Sequence, residues 1–90
     1  MGGWIDWNMA LDTEGGPNWA ENQVDSPIIV NAEEDEFYKQ PMFYATGHFS
    51  RFLPPGSRSV GLLNKEALGR VDSLAFLNPD NDVVAIFINR

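Results

Sequence analysis

The chain has 90 residues, no cysteine and one histidine, His48, so disulfides and a Cys/His zinc site are excluded. A formal net charge of −7 argues against nucleic acid and against a polybasic grip on anionic membranes, because phosphate contact needs clustered Lys and Arg. Hydrophobic residues at 43% and aromatic residues at 12% exclude a disordered tail and indicate a small globular domain.

Charge divides the chain. Residues 1–50 hold nine acids and one base, Lys39, whereas residues 51–90 hold four acids and five bases. Two segments with different surroundings are therefore expected. No apolar run approaches the roughly 18 residues of a membrane span, and Met1-Gly2-Gly3-Trp4 shows no signal-peptide pattern.

Trp4 to Leu11 reads as a strand, with Asp6 and Asn8 on one face and Ile5, Trp7 and Met9 on the other. Asp12-Thr13-Glu14-Gly15-Gly16-Pro17-Asn18 is a dense turn signal. Pro27-Ile28-Ile29-Val30-Asn31 predicts a short strand. Glu33-Glu34-Asp35-Glu36 reads as a solvated acidic run leading into a helix, where negative charge suits the N-terminal dipole. Tyr38, Met42, Ala45, Phe49 and Phe52 recur at helical spacing and predict a helix with Pro41 in its first turn. Pro54-Pro55-Gly56 ends it.

Beyond Gly56 the pattern becomes all-β. Strands are expected over Ser57 to Leu63, Val71 to Leu77 and Val83 to Ile88, the last two forming a hairpin across Asn78-Pro79-Asp80-Asn81-Asp82. That hairpin finds no partner sheet within the chain, and both chain ends fall at strand-like segments. An incomplete piece of a larger protein is the expectation.

Among the acids, Asp6, Glu14, Glu21 and Asp25 are the available carboxylates for acid/base work. Their spacing fixes no defined separation, and solvated acids are the base case. His48 falls off the apolar helical stripe and reads as structural or surface. No phosphate loop, dinucleotide fingerprint or nucleophile elbow is present. A tryptophan offers a flat apolar face and one N–H donor, and an asparagine offers both donor and acceptor. Trp7 and Asn22 therefore suit a sugar ring and its hydroxyls, and Trp4 and Trp19 are chemically as eligible.

Several blocks occur together in order: Gly3-Trp4-Ile5-Asp6-Trp7-Asn8, Gly15-Gly16-Pro17-Asn18-Trp19, Asn22, and Val24-Asp25-Ser26-Pro27-Ile28-Ile29-Val30. They continue through Phe37-Tyr38-Lys39-Gln40-Pro41-Met42-Phe43-Tyr44 and Gly47-His48-Phe49-Ser50, fading over Pro54 to Leu63 and the final hairpin. Together they resemble the glucosylceramidases of glycoside hydrolase family 30. The resemblance implies an α/β fragment: the last strand and helix of a (β/α)8 barrel, followed by antiparallel strands of a β-sandwich domain.

On that resemblance, residues 1–53 are the terminal strand–excursion–helix unit of the barrel. Trp4 to Leu11 is its last strand, a side-sheet strand lies near 27–31, and Pro41 to Leu53 is its last helix. Residues 57–90 are a partial sandwich domain. The resemblance further implies a retaining β-glycosidase with Trp7 and Asn22 as substrate contacts and both catalytic glutamates outside this chain, so no catalytic or metal-binding residue is assigned here. It implies no cofactor, a glycolipid substrate (glucosylceramide), a saposin-type activator, and a lysosomal or secreted location. The competing expectations are a non-catalytic sugar-binding module or degenerate product, and a family member acting on another β-linked sugar.

Overall fold

A computed structural model describes residues 2–62 and 69–90. Its elements are β1 (Ala10–Asp12), β2 (Ile28–Asn31), β3 (Glu36–Lys39), α1 (Pro41–Ser50), β4 (Arg58–Val60), β5 (Val71–Leu77) and β6 (Val83–Asn89). The chain divides into two compact units, Met1–Thr46 and Gly47–Arg90, with the boundary falling within α1.

In the first unit the β-branched run Ile28-Ile29-Val30 makes β2 the central strand. β1 pairs with it in parallel, Ala10 opposite Ile28 and Asp12 opposite Val30. β3 pairs with it antiparallel, Ile28 opposite Lys39 and Asn31 opposite Glu36. Leu11, opposite Ile29, is buried at 4% exposure.

Three expectations change here. The strand expected over Trp4 to Leu11 enters a ladder only at Ala10, because its earlier backbone groups meet no neighbouring strand among the described residues. Its last residues pair with β2 in a three-stranded sheet ordered β1-β2-β3. The acidic run does not lead into a helix. It forms the tip of the β2–β3 hairpin, where Asp35 takes a φ of 54° and its N–H donates to the Ala32 carbonyl at 3.4 Å. A hairpin tip keeps adjacent carboxylates in water. Tyr38, placed on the helical stripe by spacing alone, lies on β3 opposite Ile29. Its hydroxyl donates to Glu36 Oε2 at 3.0 Å and accepts from Asn31 Nδ2 at 3.1 Å. The reason is Pro41, which disfavours helical geometry in the residue before it. Gln40 instead prolongs the sheet, its N–H donating to the Pro27 carbonyl at 2.8 Å.

The helix begins at Pro41, where the missing N–H costs nothing. Met42, Phe43, Gly47 and Phe49 are half-buried, whereas Ala45 and Phe52 are exposed. The buried stripe is thus displaced from the one that spacing predicts. Phe43 and Tyr44 meet edge-on at 5.4 Å between ring centroids, and Lys39 Nζ lies 5.1 Å from the Phe43 ring centre. Regular helix ends at Ser50, short of the expected Leu53. The Leu53 N–H still donates to the Phe49 carbonyl at 3.0 Å before Pro54 and Pro55 withdraw two donors.

The second unit carries the sheet β4–β5–β6, antiparallel throughout. Arg58 faces Leu77, Val71 faces Asn89 and Leu77 faces Val83. Ala75 and Ile86 are its buried apolar residues, at 4% and 7% exposure. The strand expected over Ser57 to Leu63 is regular at Arg58–Val60, and Leu63 lies outside the described residues. At the open end of the hairpin the Arg90 N–H donates to the Arg70 carbonyl at 2.6 Å, and its side chain reaches Asp72 at 2.9 Å. That ion pair is exposed on both sides and contributes little.

The core is thin. Among the described residues the buried apolar side chains are Leu11, Ala75 and Ile86. The accessible surface is 7950 Å². Two separately compact halves of this mass would expose only about 6,400 Å² in all.

One local device recurs. Asp12 Oδ1 accepts from the N–H groups of Glu14 (2.9 Å) and Gly16 (2.7 Å), Asp12 N–H donates to the Gly16 carbonyl (2.8 Å), and Gly15 N–H donates to the Asp12 carbonyl (3.1 Å). Asn78 Oδ1 accepts likewise from Asp80 (3.0 Å) and Asp82 (2.8 Å), with Asn78 N–H to the Asp82 carbonyl and Asn81 N–H to the Asn78 carbonyl, both 3.0 Å. In each turn the fourth residue is left-handed, Gly15 at φ 83° and Asn81 at 65°. A Cβ at Gly16 would stand 2.7 Å from Asp12 Oδ2, so that position has no room for a side chain while the carboxylate keeps its bonds.

Because Asn78 makes this turn with an amide oxygen, the charge of Asp12 is dispensable for it. Asp12→Asn is expected to leave unfolding free energy within about 0.5 kcal/mol, whereas Asp12→Ala and Asn78→Ala each cost about 1–2 kcal/mol. Chemical denaturation of the protein checks all three.

Candidate functional site

The segment 13–27 leaves β1 and returns to the start of β2. Parallel pairing requires the return, and no strand or helix forms along it. Its own side chains supply the backbone partners. Asp12 fixes the departure through the turn just described. Midway, Asn18 Oδ1 accepts from Ala20 N–H at 3.1 Å and Asn18 Nδ2 donates to the Asn22 carbonyl. Glu21 turns the chain at φ 53°.

The arrival is tied most tightly. Ser26 is wholly buried, and its hydroxyl donates to the Ile28 carbonyl at 2.6 Å. Ser26 N–H donates to Asp25 Oδ1 at 2.8 Å. Gln40 Nε2 donates to the same Asp25 oxygen and to the Ser26 carbonyl, the latter at 3.1 Å. The knot joins the end of the segment to the residue just before the helix.

The two residues expected to meet sugar lie on this unit and are both exposed. Trp7 stands three positions before the first ladder residue, 90% exposed, its backbone N–H donating to Asp6 Oδ1 at 2.8 Å. Asn22 is exposed, and its side-chain amide makes no hydrogen bond among the described residues. No hydrogen bond or ring contact joins Trp7 to Asn22 among those residues. Trp4 at 71% and Trp19 at 100% are also open to solvent, so exposure does not single out Trp7.

A hollow of about 390 Å³ lies between the Asp12–Gly15 turn and Gln23, Val24 and Ile29, and includes neither Trp7 nor Asn22. A second, of about 380 Å³ and mostly apolar, is lined by His48, Phe52 and the β6 residues Val83 to Phe87. His48 is exposed in the last helical turn, where a basic side chain suits the dipole.

The four carboxylates remain apart in role. Asp6 holds the Trp7 N–H, Glu14 and Glu21 are exposed, and Asp25 is committed to Ser26 and Gln40. Sequence reading passed over Asp12, Asn18, Ser26 and Gln40 as determinants of the loop. The signal available for two of them was an Asp or Asn opening a Gly- or Pro-containing turn. Nothing in the sequence pairs Asp25 with Gln40 across the intervening strands.

Residues 1–53 match the glycosyl hydrolase family 30 TIM-barrel domain, and residues 56–90 match the family's beta sandwich domain. The chain belongs to glycosyl hydrolase family 30. Within that family it is 54% identical over 88 residues to the mouse lysosomal acid glucosylceramidase, covering 98% of this chain and 17% of that protein. The crystal structure of SrfJ from Salmonella typhimurium superposes with a TM-score of 0.84 at 36% identity, over 96% of this chain and 19% of SrfJ. The chain therefore spans under a fifth of the length of these two relatives. Its fold is α/β, the C-terminal portion of a TIM-barrel domain followed by antiparallel β-sandwich strands.

The Asp25–Ser26–Gln40 knot gives a direct expectation. Gln40→Ala removes the donor to the exposed Asp25 carboxylate and to the part-buried Ser26 carbonyl and should lower unfolding free energy by about 1–2 kcal/mol. Gln40→Glu sets a second carboxylate against Asp25 and should cost at least as much. Denaturation curves, with amide exchange at Ser26, measure both.

Proposed function

We propose that these residues are part of a retaining β-glycosidase that hydrolyses glucosylceramide to glucose and ceramide. Segment 1–53 completes its catalytic barrel, segment 57–90 enters its β-sandwich domain, and Trp7 and Asn22 line the glucose pocket. The supporting observation is the 54% identity to a lysosomal acid glucosylceramidase along almost the whole chain. An exposed indole face and an uncommitted amide are the chemistry that a sugar ring and its hydroxyls require.

The proton chemistry lies on two glutamates outside these 90 residues. One carboxylate attacks the anomeric carbon and forms a glycosyl–enzyme ester, while the other, protonated, gives its proton to the departing ceramide oxygen. The second then takes a proton from water, which attacks the ester and releases glucose. Asp6, Glu14, Glu21 and Asp25 take neither role. No cofactor enters this scheme. The substrate is a glycolipid, a saposin-type activator presents it, and the working compartment is the lysosome. The excess of exposed surface over that of compact bodies weighs against a free-standing sugar-binding module.

Residues 1–90 alone are expected to give no turnover of a fluorogenic β-glucoside. Turnover that disappears on mutating an acid within them would overturn the assignment of the catalytic pair. In the full-length protein, Trp7→Ala should lower kcat/KM for a β-glucoside by about ten- to a hundredfold. Unchanged kinetics would remove Trp7 from the pocket. A higher kcat/KM for a different β-glycoside than for the glucoside would redirect the substrate assignment.

A further inference from the structure

The segment 13–27 is held at both ends, by the Asp12 turn and by the Asp25–Ser26–Gln40 knot. Between them, among the described residues, one side chain bridges the backbone, that of Asn18. Its oxygen accepts from Ala20 N–H at 3.1 Å and its nitrogen donates to the Asn22 carbonyl. Asn18 is half-buried, whereas Trp19, Ala20, Glu21 and Asn22 are exposed. The left-handed turn at Glu21 brings the Asn22 carbonyl back to the Asn18 amide.

We propose that Asn18 is a positioning residue, holding the main chain at Asn22 so that the free Asn22 amide is set for substrate hydroxyls before substrate arrives. The proposal rests on the reading of Asn22 as a sugar contact. Its physical basis is the clamp's geometry. Asn22 spends its carbonyl on Asn18 and keeps its side chain unengaged, so the bond fixes the residue without occupying the group that binds. A loop contact that must be ordered by the ligand binds more weakly than one ordered in advance. Only an amide serves both bonds. Aspartate retains the acceptor for Ala20 and loses the donor for Asn22, and serine has one hydroxyl where two atoms are needed.

A double-mutant cycle on kcat/KM for a β-glucoside in the full-length protein tests this, using Asn18→Ala, Asn18→Asp, Asn22→Ala and the two pairs. Each Asn18 variant should lose about tenfold in the native background and less than about twofold when Asn22 is already alanine. Asn18→Asp matters doubly. It keeps the Ala20 turn, so the test survives if Asn18→Ala does not fold, and it isolates the donor. Equal losses in both backgrounds would show that Asn18 acts independently of Asn22, overturning the positioning role while leaving the pocket reading intact. An Asn18→Asp variant with native kinetics would overturn it too. Native kinetics in Asn22→Ala would instead overturn the pocket reading, and the positioning role with it.

Discussion

The parallel register between Ala10–Asp12 and Ile28–Asn31 is the constraint from which the first unit follows. Two parallel strands cannot be joined by a tight turn, because the chain must travel back along the sheet before it can pair again. A helix is the usual vehicle for that return, since it satisfies its own backbone. Here the return carries Gly15, Gly16, Pro17 and several short polar side chains, a composition that cannot sustain a helix. The backbone must find its partners elsewhere. Asp12, Asn18, Asp25 and Ser26 provide them at intervals, each bonding main chain within a few residues of itself.

This arrangement explains why the same segment is both irregular and defined. A loop satisfied by its own side chains can carry exposed groups, Trp19 and the Asn22 amide among them, without a surrounding core to hold them. The Asp12 and Asn78 turns show that the device is local rather than tied to one architecture. It opens a parallel crossover in one unit and closes an antiparallel hairpin in the other. What differs is the next residue pair. After Asp82 the chain meets the β-branched run Val83-Val84 and continues the ladder, whereas after Gly16 it meets Pro17 and Asn18 and leaves it.

The same contrast separates what was legible in the sequence from what was not. β5, β6 and their turn were legible because a β-branched run, an Asn/Asp/Pro cluster and a second run are each decided within a few residues. β2 was legible for the same reason. β3 was not, because Glu36-Phe37-Tyr38-Lys39 has neither alternation nor length, and Tyr38 happens to stand four before Met42. Its strand state comes from pairing with β2, a tertiary fact that overrides a coincidental period. The acidic tip follows from that pairing, since a hairpin needs a turn between Asn31 and Glu36 and those residues are what lie there. For Trp7 and Asn22 the sequence offers only the chemistry of a flat ring and an amide, and the fold leaves both side chains exposed. The groups that hold the loop were not legible, because Gln40 reaches Asp25 across a distance in sequence that no spacing rule spans.

The second unit adds an argument from its faces. On the β5–β6 pair, Leu74, Phe76, Val84, Ile86 and Ile88 share one face, and Val71, Ala75, Leu77, Val83, Ala85 and Phe87 share the other. A sheet with one wet face alternates apolar and polar residues; strands apolar on both faces are the pattern of a sheet covered on both sides. Yet Val83, Phe87, Leu74 and Ile88 are all exposed here. At roughly 25 cal/mol for each Å² removed from water, covering these side chains would contribute several kcal/mol, comparable to the whole stability of a small domain. In a β-sandwich the facing sheet covers one side of such a sheet and buries its apolar side chains. The hydrophobic pattern of β5 and β6 thus reaches, from a different physical property, the same architecture as the family match to residues 56–90.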